Sequence, residues 1–420
     1  MSVVFIALVS TLVISVLVQL FLVAGFVNRL RRWQQPLLED QMCPPAAVIL
    51  CLRGGDPFLS KCIAGLLTQD YPNYDVRFMV DSESDPAMPI LKSTIAEHSF
   101  ARYKIETLAS PRLTCSLKCS SLVQAINGLD DSTLFLAQLD ADTIPQRSWL
   151  RELATALAPA DVGAATGNRW YMPERCSQGA MIRYVWNAAA VVQMYWYSIA
   201  WGGTLAIKLD SIKRAGLIDR WSRSLCEDTM LRQQLGSIGE RIAFVPSLMM
   251  VNREDCTVGS FLPWVTRQLL TAKLYHPFWL AVAGHGISSA LVLVWGWGFC
   301  LASLIEGDFA TAGQVGLAMV IFQTCLTLMI PWIESAVSKM LRSRGEETSW
   351  QRDLSWPQFF WFVCATQWVY TWALLSCLFL RSVDWRGIRY DVAGSWEIKM
   401  LGYRPFANED QPHEVTQRSL

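Results

Sequence analysis

Two aspartates separated by one residue, Asp140 and Asp142, come directly after the apolar run 133–139. Carboxylate oxygens are the ligands that Mg²⁺ and Mn²⁺ prefer, and Mg²⁺ commonly binds one or two carboxylates together with substrate phosphates. A metal held in this way neutralises a departing diphosphate by acting as a Lewis acid. We therefore predict a site for Mg²⁺ or Mn²⁺ with Asp142 as the main ligand and Asp140 beside it. An Asp-X-Asp pattern is common, so neighbouring motifs must support this prediction.

A candidate general base lies further along the chain, at Asp228 in the segment Cys-Glu-Asp-Thr. Group transfer to a hydroxyl needs one general base near that hydroxyl. A helical pattern follows at 230–235, and a carboxylate just before a helix interacts favourably with its N-terminus. The alternative is that Glu227 and Asp228 only cap this helix. We predict that Asp228 is the base and that the acceptor side consists of Trp201, Gly202, Gly203 and Glu227.

Other charged and amide side chains suit the donor of the transferred group. Arginine can hold a diphosphate through two parallel hydrogen bonds, which makes Arg267 a candidate, although a base in this position can also meet lipid headgroups. Lys118 can contact a phosphate or a carboxylate. The predicted donor side consists of Asp81, Asp85, Lys118, Asp140, Arg267 and Gln268.

The elements that would position these residues are short apolar runs between helical stretches. The runs are 46–52, 76–80, 133–139, 162–166 and 241–245. Continuous apolar runs of this length suit strands that are covered on both faces, and intervening helices indicate a mainly parallel sheet in an α/β domain. Ligands bind such sheets at the carboxyl ends of the strands, where Asp81 and Asp140 are expected. In the first turn, 52–59, we expect Asp56 to cap the next helix and the glycines to let a ligand approach.

Four apolar segments are long enough to cross a bilayer: 3–27, 282–305, 313–333 and 356–380. Basic residues follow the first segment and fill the loop between the last two, which places both regions in the cytosol. The predicted divisions are an N-terminal transmembrane anchor (1–33), an α/β domain (44–276), C-terminal transmembrane helices (277–382) and a polar tail (383–420). The protein is expected in a bacterial inner membrane or a eukaryotic endomembrane, with the α/β domain cytosolic.

The charges of the tail conflict with four full crossings. Four spans return the tail to the outer side, yet Arg381, Arg386 and Arg389 favour the cytosol. Either one apolar stretch is re-entrant or interfacial, or the tail breaks the charge rule. A further apolar stretch, 181–207, is predicted to be a helix at the membrane interface, with a helix in the domain core as the alternative.

Composition excludes some classes of partner. The chain of 420 residues has 36 basic and 36 acidic side chains, so nothing indicates a nucleic-acid surface. The twelve cysteines include no Cys-X-X-Cys pair, which argues against a zinc site.

Taken together, these motifs resemble family 2 glycosyltransferases of the ceramide glucosyltransferase type. The resemblance covers about 45–280 and the tail segment 385–390, and its signature positions are Gly54–Leu59, Asp85-Pro86, Lys118, Asp140–Asp142, Trp201–Gly203 and Glu227-Asp228. It implies a GT-A fold, an inverting mechanism, a UDP-sugar donor, and a place near the uracil for Asp81 or Asp85. The family's Arg-Trp pair is missing after Arg267-Gln268, and Lys273 is a possible replacement.

The expected function is therefore transfer of one sugar, glucose, from a UDP-sugar to a membrane lipid such as ceramide. One alternative is a processive polysaccharide synthase, although three C-terminal spans are few for a polymer channel. Another is a non-catalytic membrane scaffold with a degenerate transferase domain.

Overall fold

The computed structural model describes residues 3–348 and 354–406. Its central element is a seven-stranded sheet with the order β3-β2-β1-β4-β6-β5-β7. The strands are β1 (Ala46–Leu52), β2 (Tyr74–Val80), β3 (Tyr103–Thr107), β4 (Phe135–Leu139), β5 (Val162–Tyr171), β6 (Thr204–Lys208) and β7 (Arg241–Asn252). Only the two pairs that contain β6 are antiparallel. The predicted α/β class with a mainly parallel sheet is confirmed.

All five predicted strands are present, and three are longer than their apolar runs: β2 begins two residues earlier, at Tyr74, and the other two end later. β5 continues to Tyr171 and β7 to Asn252. The strands β3 and β6 have no counterpart in the sequence-based prediction. The helices of the domain are α2 (Leu59–Leu67), α3 (Ala87–Ala96), α4 (Leu117–Asn127), α5 (Trp149–Leu157), α6 (Gln178–Tyr197), α7 (Leu209–Arg214), α8 (Leu217–Trp221), α9 (Leu231–Gly236) and α10 (Val258–Tyr275).

Four helices of the described residues are long and apolar enough to cross a membrane. They are α1 (Val3–Arg31), α11 (Trp279–Ile305), α12 (Phe309–Arg342) and α13 (Trp356–Phe379). Each contains one of the four predicted segments almost completely, because uninterrupted apolar runs of this length bury their backbone hydrogen bonds only as helices in lipid.

Helix α13 begins and ends on the side of the α/β domain. Before it, Arg344 donates a hydrogen bond of 3.2 Å to the carbonyl of Met249 in β7. At its end, Lys273 of α10 donates to the carbonyls of Cys377 and Leu378, at 3.2 and 2.7 Å. Both ends of α13 therefore contact the α/β domain, which supports the alternative that this stretch is re-entrant or interfacial.

The tryptophans of α13 fit this placement. Trp361, Trp368 and Trp372 recur at spacings of seven and four residues, which puts them on one face of the helix. They are 60%, 50% and 62% exposed. Tryptophan rings concentrate at the membrane–water interface, so this face is suited to lie among lipid headgroups.

Helix α6, from the stretch predicted to lie at the interface, joins the two parts of the molecule. Near its start the fully buried Arg183 pairs with Glu254 at 3.9 Å, inside the α/β domain. Near its end Trp196 donates a hydrogen bond of 2.9 Å to the carbonyl of Leu22 in α1. The first half thus packs in the domain core and the second half packs among the membrane helices.

Part of the predicted polar tail forms a second, antiparallel sheet of three strands: β8 (Ser382–Trp385), β9 (Ile388–Gly394) and β10 (Glu397–Met400). It is attached to the α/β domain by hydrogen bonds. The backbone N–H of Leu117 donates to the Tyr390 hydroxyl at 3.1 Å, and the N–H of Met400 donates to the Leu113 carbonyl at 2.8 Å. This attachment brings the segment between β8 and β9 to the carboxyl ends of β1 and β4. Residues 407–420 of the predicted tail lie outside the described residues.

Candidate active site

A polar cavity of about 170 Å³ lies at the carboxyl ends of the central strands. It collects the motifs that the sequence spreads over more than 200 positions. Residues predicted from the sequence that line it are Asp81, Lys118, Asp140, Asp142, Trp201, Glu227, Asp228, Arg267 and Gln268. The structure brings these residues together, and we call this space the donor cavity.

Lys118 ties two of the acidic motifs together. Its ammonium lies 2.6 Å from Asp140 Oδ1 and 2.7 Å from Glu227 Oε1. Burial disfavours the charge of Lys118, yet the two carboxylates outweigh it and raise its pKa well above the usual value. Burial also opposes ionisation of Asp140, but Lys118 lowers the pKa of that carboxyl. Lys118 and Asp140 are therefore both charged at neutral pH.

Glu227 was predicted to lie on the acceptor side together with the Trp-Gly-Gly loop, residues 201–203. In the structure its carboxylate lies beneath that loop. It is 2% exposed, and Gln138 of β4 donates to its Oε1 at 3.0 Å. A Cβ atom on Gly202 would lie 2.1 Å from the same oxygen, so only glycine fits above it. Burial raises the pKa of Glu227 although Lys118 opposes the shift. Glu227 thus supports the loop and Lys118 from below.

Asp142 is surrounded by other acidic groups. Its two oxygens accept from Thr143 Oγ1 at 3.3 Å and from Asn252 Nδ2 at 3.4 Å. Burial, followed by the charges of Asp140, Asp56 and Glu254, raises its pKa to about 7. A carboxyl that ionises reluctantly because of like charges gains most from a bound cation.

This donor set fits Mg²⁺ or Mn²⁺ that is shared with a diphosphate. Among residues 3–348 and 354–406, no group of three acidic, histidine or cysteine side chains could hold an ion unaided. Asp142 and Asp140 would supply carboxylate oxygens, and the substrate phosphates would complete the coordination, as Mg²⁺ sites commonly require. The metal would then supply charge neutralisation for the leaving diphosphate.

Asp228 lies against the Trp-Gly-Gly loop. The backbone N–H of Gly202 donates to Asp228 Oδ2 at 2.7 Å, and the Thr229 hydroxyl donates to Oδ1 at 2.9 Å. The helix that follows, α9, begins at Leu231 and has six residues, and Met230 is its N-cap without a side-chain cap. Asp228 therefore does not cap α9, and its carboxylate is held at the cavity wall by the loop.

Arg386, from the tail, enters the donor cavity and was not among the predicted site residues. Its guanidinium forms a two-pronged pair with Asp56, with Nη2–Oδ1 at 2.9 Å and Nη1–Oδ2 at 3.1 Å. The expectation that Asp56 caps the next helix is therefore wrong: α2 begins at Leu59 with no side-chain cap, because Asp56 binds Arg386 instead. Burial opposes the charge of Arg386, but Asp56 holds its pKa above the usual value.

Arg267 also lines the donor cavity. Its guanidinium is 4.5 Å from the centre of the Trp385 ring, a cation–π distance. Burial, together with the like charges of Arg386 and Arg169, lowers its pKa to about 10. Three guanidinium groups thus repel one another at one end of the cavity, and an anionic ligand would relieve this repulsion.

Lys273 does not replace the missing Arg-Trp pair. Its ammonium binds the last carbonyls of α13, where a cation stabilises a helix C-terminus. It is not among the residues that line the donor cavity. In addition to Lys118 and Arg267, positive charge at the site comes from Arg53, Arg169 and Arg386.

Asp81 and Asp85 have different environments. Asp81 lines the donor cavity and pairs with Arg53. Asp85 does not line it, and its carboxylate accepts hydrogen bonds from the backbone N–H groups of Gly54, at 3.0 Å, and Ala87, at 2.8 Å. Asp85 therefore holds the turn after β1 against the start of α3.

A second, larger cavity of about 410 Å³ lies between α6 and the membrane helices. Its wall is mostly aliphatic, and we call it the apolar cavity. A small polar group interrupts this wall: His285 of α11 contacts Gln19 of α1 and, through Nδ1 at 2.9 Å, Gln193 of α6. The two cavities share the residues Arg169, Trp201, Asp228, Gln268 and Thr271.

Arg169, on β5, belongs to this shared wall and was also absent from the sequence-based prediction. Its guanidinium lies 5.1 Å from the Trp201 ring and 4.7 Å from the Trp264 ring. It follows Asn168 in a run that continues an apolar strand, so no local pattern marks it as a site residue.

Residues 4–398 match the model of glycosyl transferase family 21. The chain belongs to glycosyl transferase family 21. The predicted ceramide glucosyltransferase type is confirmed, although the matched family is number 21 and not the broader family 2.

Two curated relatives are ceramide glucosyltransferases. Ceramide glucosyltransferase 1 of Caenorhabditis elegans is 20% identical over 298 residues, which are 69% of this chain and 63% of that protein. The ceramide glucosyltransferase of Pyricularia oryzae is 35% identical over 66 residues, 15% of this chain and 13% of that protein. The chain thus matches less than two thirds of the length of either relative.

Solved structures of sugar-nucleotide enzymes are similar at lower overlap. The mannosyltransferase PcManGT from Pyrobaculum calidifontis, in complex with GDP-Man and Mn²⁺, is 15% identical with a TM-score of 0.48, over 89% of this chain and 99% of that one. Glucosyl-3-phosphoglycerate synthase from Mycobacterium tuberculosis, in complex with Mg²⁺ and UDP, is 10% identical with a TM-score of 0.38, over 57% and 84%. Both TM-scores are below 0.5, so neither likeness alone identifies the fold.

Proposed function

We propose that this protein transfers one sugar from a UDP-sugar to a hydroxyl group of a membrane lipid, with inversion at the anomeric carbon and Asp228 as the general base. The observation that carries the proposal is the position of Asp228 on the wall shared by the donor cavity and the apolar cavity. At this wall a water-soluble donor in the polar donor cavity can react with a lipid acceptor in the apolar cavity.

The donor side is supported by the charges of the donor cavity. The repelling guanidinium groups of Arg267, Arg386 and Arg169 would be stabilised by a diphosphate, and Arg binds phosphate oxygens with two parallel donors. Asp140 and Asp142 would share Mg²⁺ or Mn²⁺ with that diphosphate, and Lys118 holds Asp140 in place. Asp81 is the candidate for contact with the uracil because it, and not Asp85, lines the cavity.

The acceptor side is supported by the apolar cavity. Its volume falls in the range of about 300–1,000 Å³ that is usual for ligand pockets, and its aliphatic wall is formed by membrane helices. The amides of Gln19 and Gln193 offer hydrogen bonds within this wall, and Gln367 Oε1 has no hydrogen-bond partner among the described residues. These groups suit a lipid with polar atoms near the reacting hydroxyl, such as ceramide, which the names of the curated relatives also indicate.

In the proposed reaction, the acceptor oxygen forms a bond to the anomeric carbon while its proton passes to Asp228. The bond between that carbon and the phosphate oxygen breaks, and UDP leaves with the electron pair. The N–H of Gly202 fixes the orientation of the base through its hydrogen bond to Asp228 Oδ2. Trp201 covers the junction of the two cavities and limits access of water to the anomeric carbon.

The proposed orientation places the α/β domain in the cytosol. Arg29 and Arg31 lie in the last turn of α1, and Lys339 and Arg342 lie in the last turn of α12. Just after these helices, Trp33 and Arg344 both donate hydrogen bonds to β7, at Ser247 and Met249, so the two basic ends lie on the side of the α/β domain. Basic residues at these positions favour the cytosolic side.

The test is transfer of labelled sugar from a panel of UDP-sugars to a panel of purified lipids, with the full chain in lipid nanodiscs and Mg²⁺ or Mn²⁺. We expect one labelled hexose per lipid from UDP-glucose and ceramide, and no product after addition of a chelator. Product chains of several sugars would indicate a polymer synthase. UDP binding without transfer to any lipid would contradict the proposed function.

A further inference from the structure

The last described residues of the chain lie across the pair of Asp81 and Arg53. After β10, residues 401–406 run without regular secondary structure over the carboxyl ends of β1 and β2. The Tyr403 hydroxyl donates to Asp81 Oδ1 at 3.1 Å, and the backbone N–H of Phe406 donates to Asp81 Oδ2 at 3.0 Å. Arg53 donates to the carbonyl of Arg404 at 3.2 Å. We call residues 401–406 the C-terminal strap.

The ring of Phe406 packs against the first turn. It lies beside Gly54, where a Cβ atom would come within 3.0 Å of the ring, and Gly54 has a φ of +80° that other residues rarely adopt. The guanidinium of Arg53 is 5.4 Å from the ring centre, which is a cation–π distance. A flat ring is therefore held between a glycine backbone and an arginine, with an N–H donor directed at a carboxylate.

The same three features would hold a uracil. A nucleobase stacks on arginine and approaches a glycine backbone closely, and the imide N–H of uracil donates to a carboxylate as the N–H of Phe406 does. The strap thus places the ring and the donor of Phe406 where a base would bind Arg53 and Asp81.

The size of the donor cavity supports this comparison. Its volume of about 170 Å³ is below the usual lower limit of about 300 Å³ for ligand pockets, although a UDP-sugar has a base, a ribose, two phosphates and a hexose. Asp81 and Arg53 both line the cavity, so a base that does not fit in this volume would extend past them. The strap fills that direction.

We propose that the C-terminal strap occupies the nucleobase part of the donor site, with Phe406 in place of the base, so that a UDP-sugar binds only after the strap is displaced. This proposal depends on the proposed function for the identity of the donor. Displacement is feasible because only Tyr403 and Phe406 of the strap are half-buried and its remaining residues are exposed. The apparent affinity for the donor is then reduced by the fraction of molecules with an open site.

The first test is the dissociation constant of UDP for the full-length Phe406→Ala variant in nanodiscs. We expect UDP to bind at least about threefold more tightly than to the wild type, because the open fraction increases. The KM for the donor should fall by the same factor while kcat stays unchanged. Tyr403→Phe should shift both constants in the same direction by less. The matched control is Leu401→Ala, since Leu401 is 45% exposed in the same segment and has no bond to Asp81. It should leave UDP binding unchanged.

Hydrogen exchange of residues 401–406 separates a displaced strap from one that closes over the nucleotide. UDP should accelerate exchange of the Phe406 amide, which loses its bond to Asp81. Slower exchange with UDP, or weaker or unchanged UDP binding by Phe406→Ala, would overturn the proposal. A wild-type protein that binds no UDP and transfers no sugar would instead overturn the proposed function, and the strap proposal with it.

Discussion

The donor cavity and the apolar cavity differ in the charge and pairing of the polar side chains that line them. In the donor cavity several charged side chains form ion pairs, as Lys118 does with Asp140 and Glu227, and Arg386 does with Asp56. In the apolar cavity the charged residues lie on the wall shared with the donor cavity, and the remaining polar groups are neutral, among them His285 with its two glutamine partners. The first is built at strand ends of the α/β domain, and the second between helices that face lipid.

Under the proposed function, this difference would let one active site bind a water-soluble donor and a lipid acceptor. Paired charges are a tolerable environment for a diphosphate, whose charge replaces repulsion among arginines. An aliphatic wall is suited to a lipid chain, because it replaces the apolar surroundings that the chain has in the bilayer. The wall shared by the cavities is short, and Asp228 is its one carboxylate among the described residues. Changes at that wall should affect chemistry, whereas changes in either cavity should affect mainly one substrate.

The largest effect is expected for Asp228→Asn. An amide cannot accept the proton of the acceptor, and general bases typically contribute 10²–10⁴-fold, so kcat should fall by roughly 10³-fold or more. UDP binding, measured by calorimetry, should stay within about twofold of the wild type because the side chain keeps its shape. A variant with normal kcat would show that the two cavities do not meet at the catalytic base.

Lys118→Met tests whether paired charges hold the donor cavity together. Glu227 is buried and would lose its ammonium partner, and breaking a buried ion pair costs about 3–5 kcal/mol. We expect chemical denaturation to show a free energy of unfolding lower by about 3 kcal/mol, with weaker UDP binding. Lys92→Met, at an exposed position on α3, is the control and should change neither quantity. Equal stability of the two variants would contradict the role given to the Lys118 pairs.

Asp142→Ala tests whether the metal site can be weakened without any effect on lipid binding. Loss of one carboxylate should lower kcat/KM by about 10²-fold. A metal contributes several kcal/mol of transition-state stabilisation, and a metal that is still bound by the diphosphate would keep part of this effect. The Mn²⁺ concentration needed for half-maximal activity should rise, while the KM for the lipid should not change. An unchanged metal response would remove Asp142 from the proposed metal site.

The smallest effect is expected from filling the apolar cavity. Ala190 lines it, and Ala190→Phe would reduce the room for a lipid chain. We expect the KM for the lipid to rise by about tenfold, equivalent to about 1.4 kcal/mol, with UDP binding unchanged. Leu280→Phe, at a position on α11 that is 82% exposed, provides the matched control. Weaker UDP binding by Ala190→Phe with no effect on the lipid would reverse the assignment of the two cavities.

The strands that sequence patterns predicted are those whose side chains are apolar on both faces. β1 is the clearest case, since its bounds agree with the apolar run. β3, with the sequence Tyr-Lys-Ile-Glu-Thr, lies at the edge of the sheet with half-exposed side chains and so lacks that pattern. β6 was hidden because its apolar residues continue a helical stretch, and only the tertiary structure separates it from α6.

Residues of the site were predictable where a motif marks a strand end, as for Asp81 and Asp140. Pairs that join distant parts of the chain were not. The charge of Arg386 was interpreted as a topology signal, whereas its guanidinium binds Asp56, 330 positions away. Hydropathy measures length and composition and does not record which ends of the helices meet, so this contact could not be predicted from the apolar stretches.

The most direct test of the central claim is photolabelling with an acceptor lipid that carries a diazirine in its acyl chain, followed by mapping of the modified residues. The account predicts label on residues of α6 and α11 that line the apolar cavity, such as Gln193 and His285, and loss of this label in Ala190→Phe. Label confined to outward faces of the membrane helices, unaffected by Ala190→Phe, would contradict the claim that donor and lipid meet at Asp228.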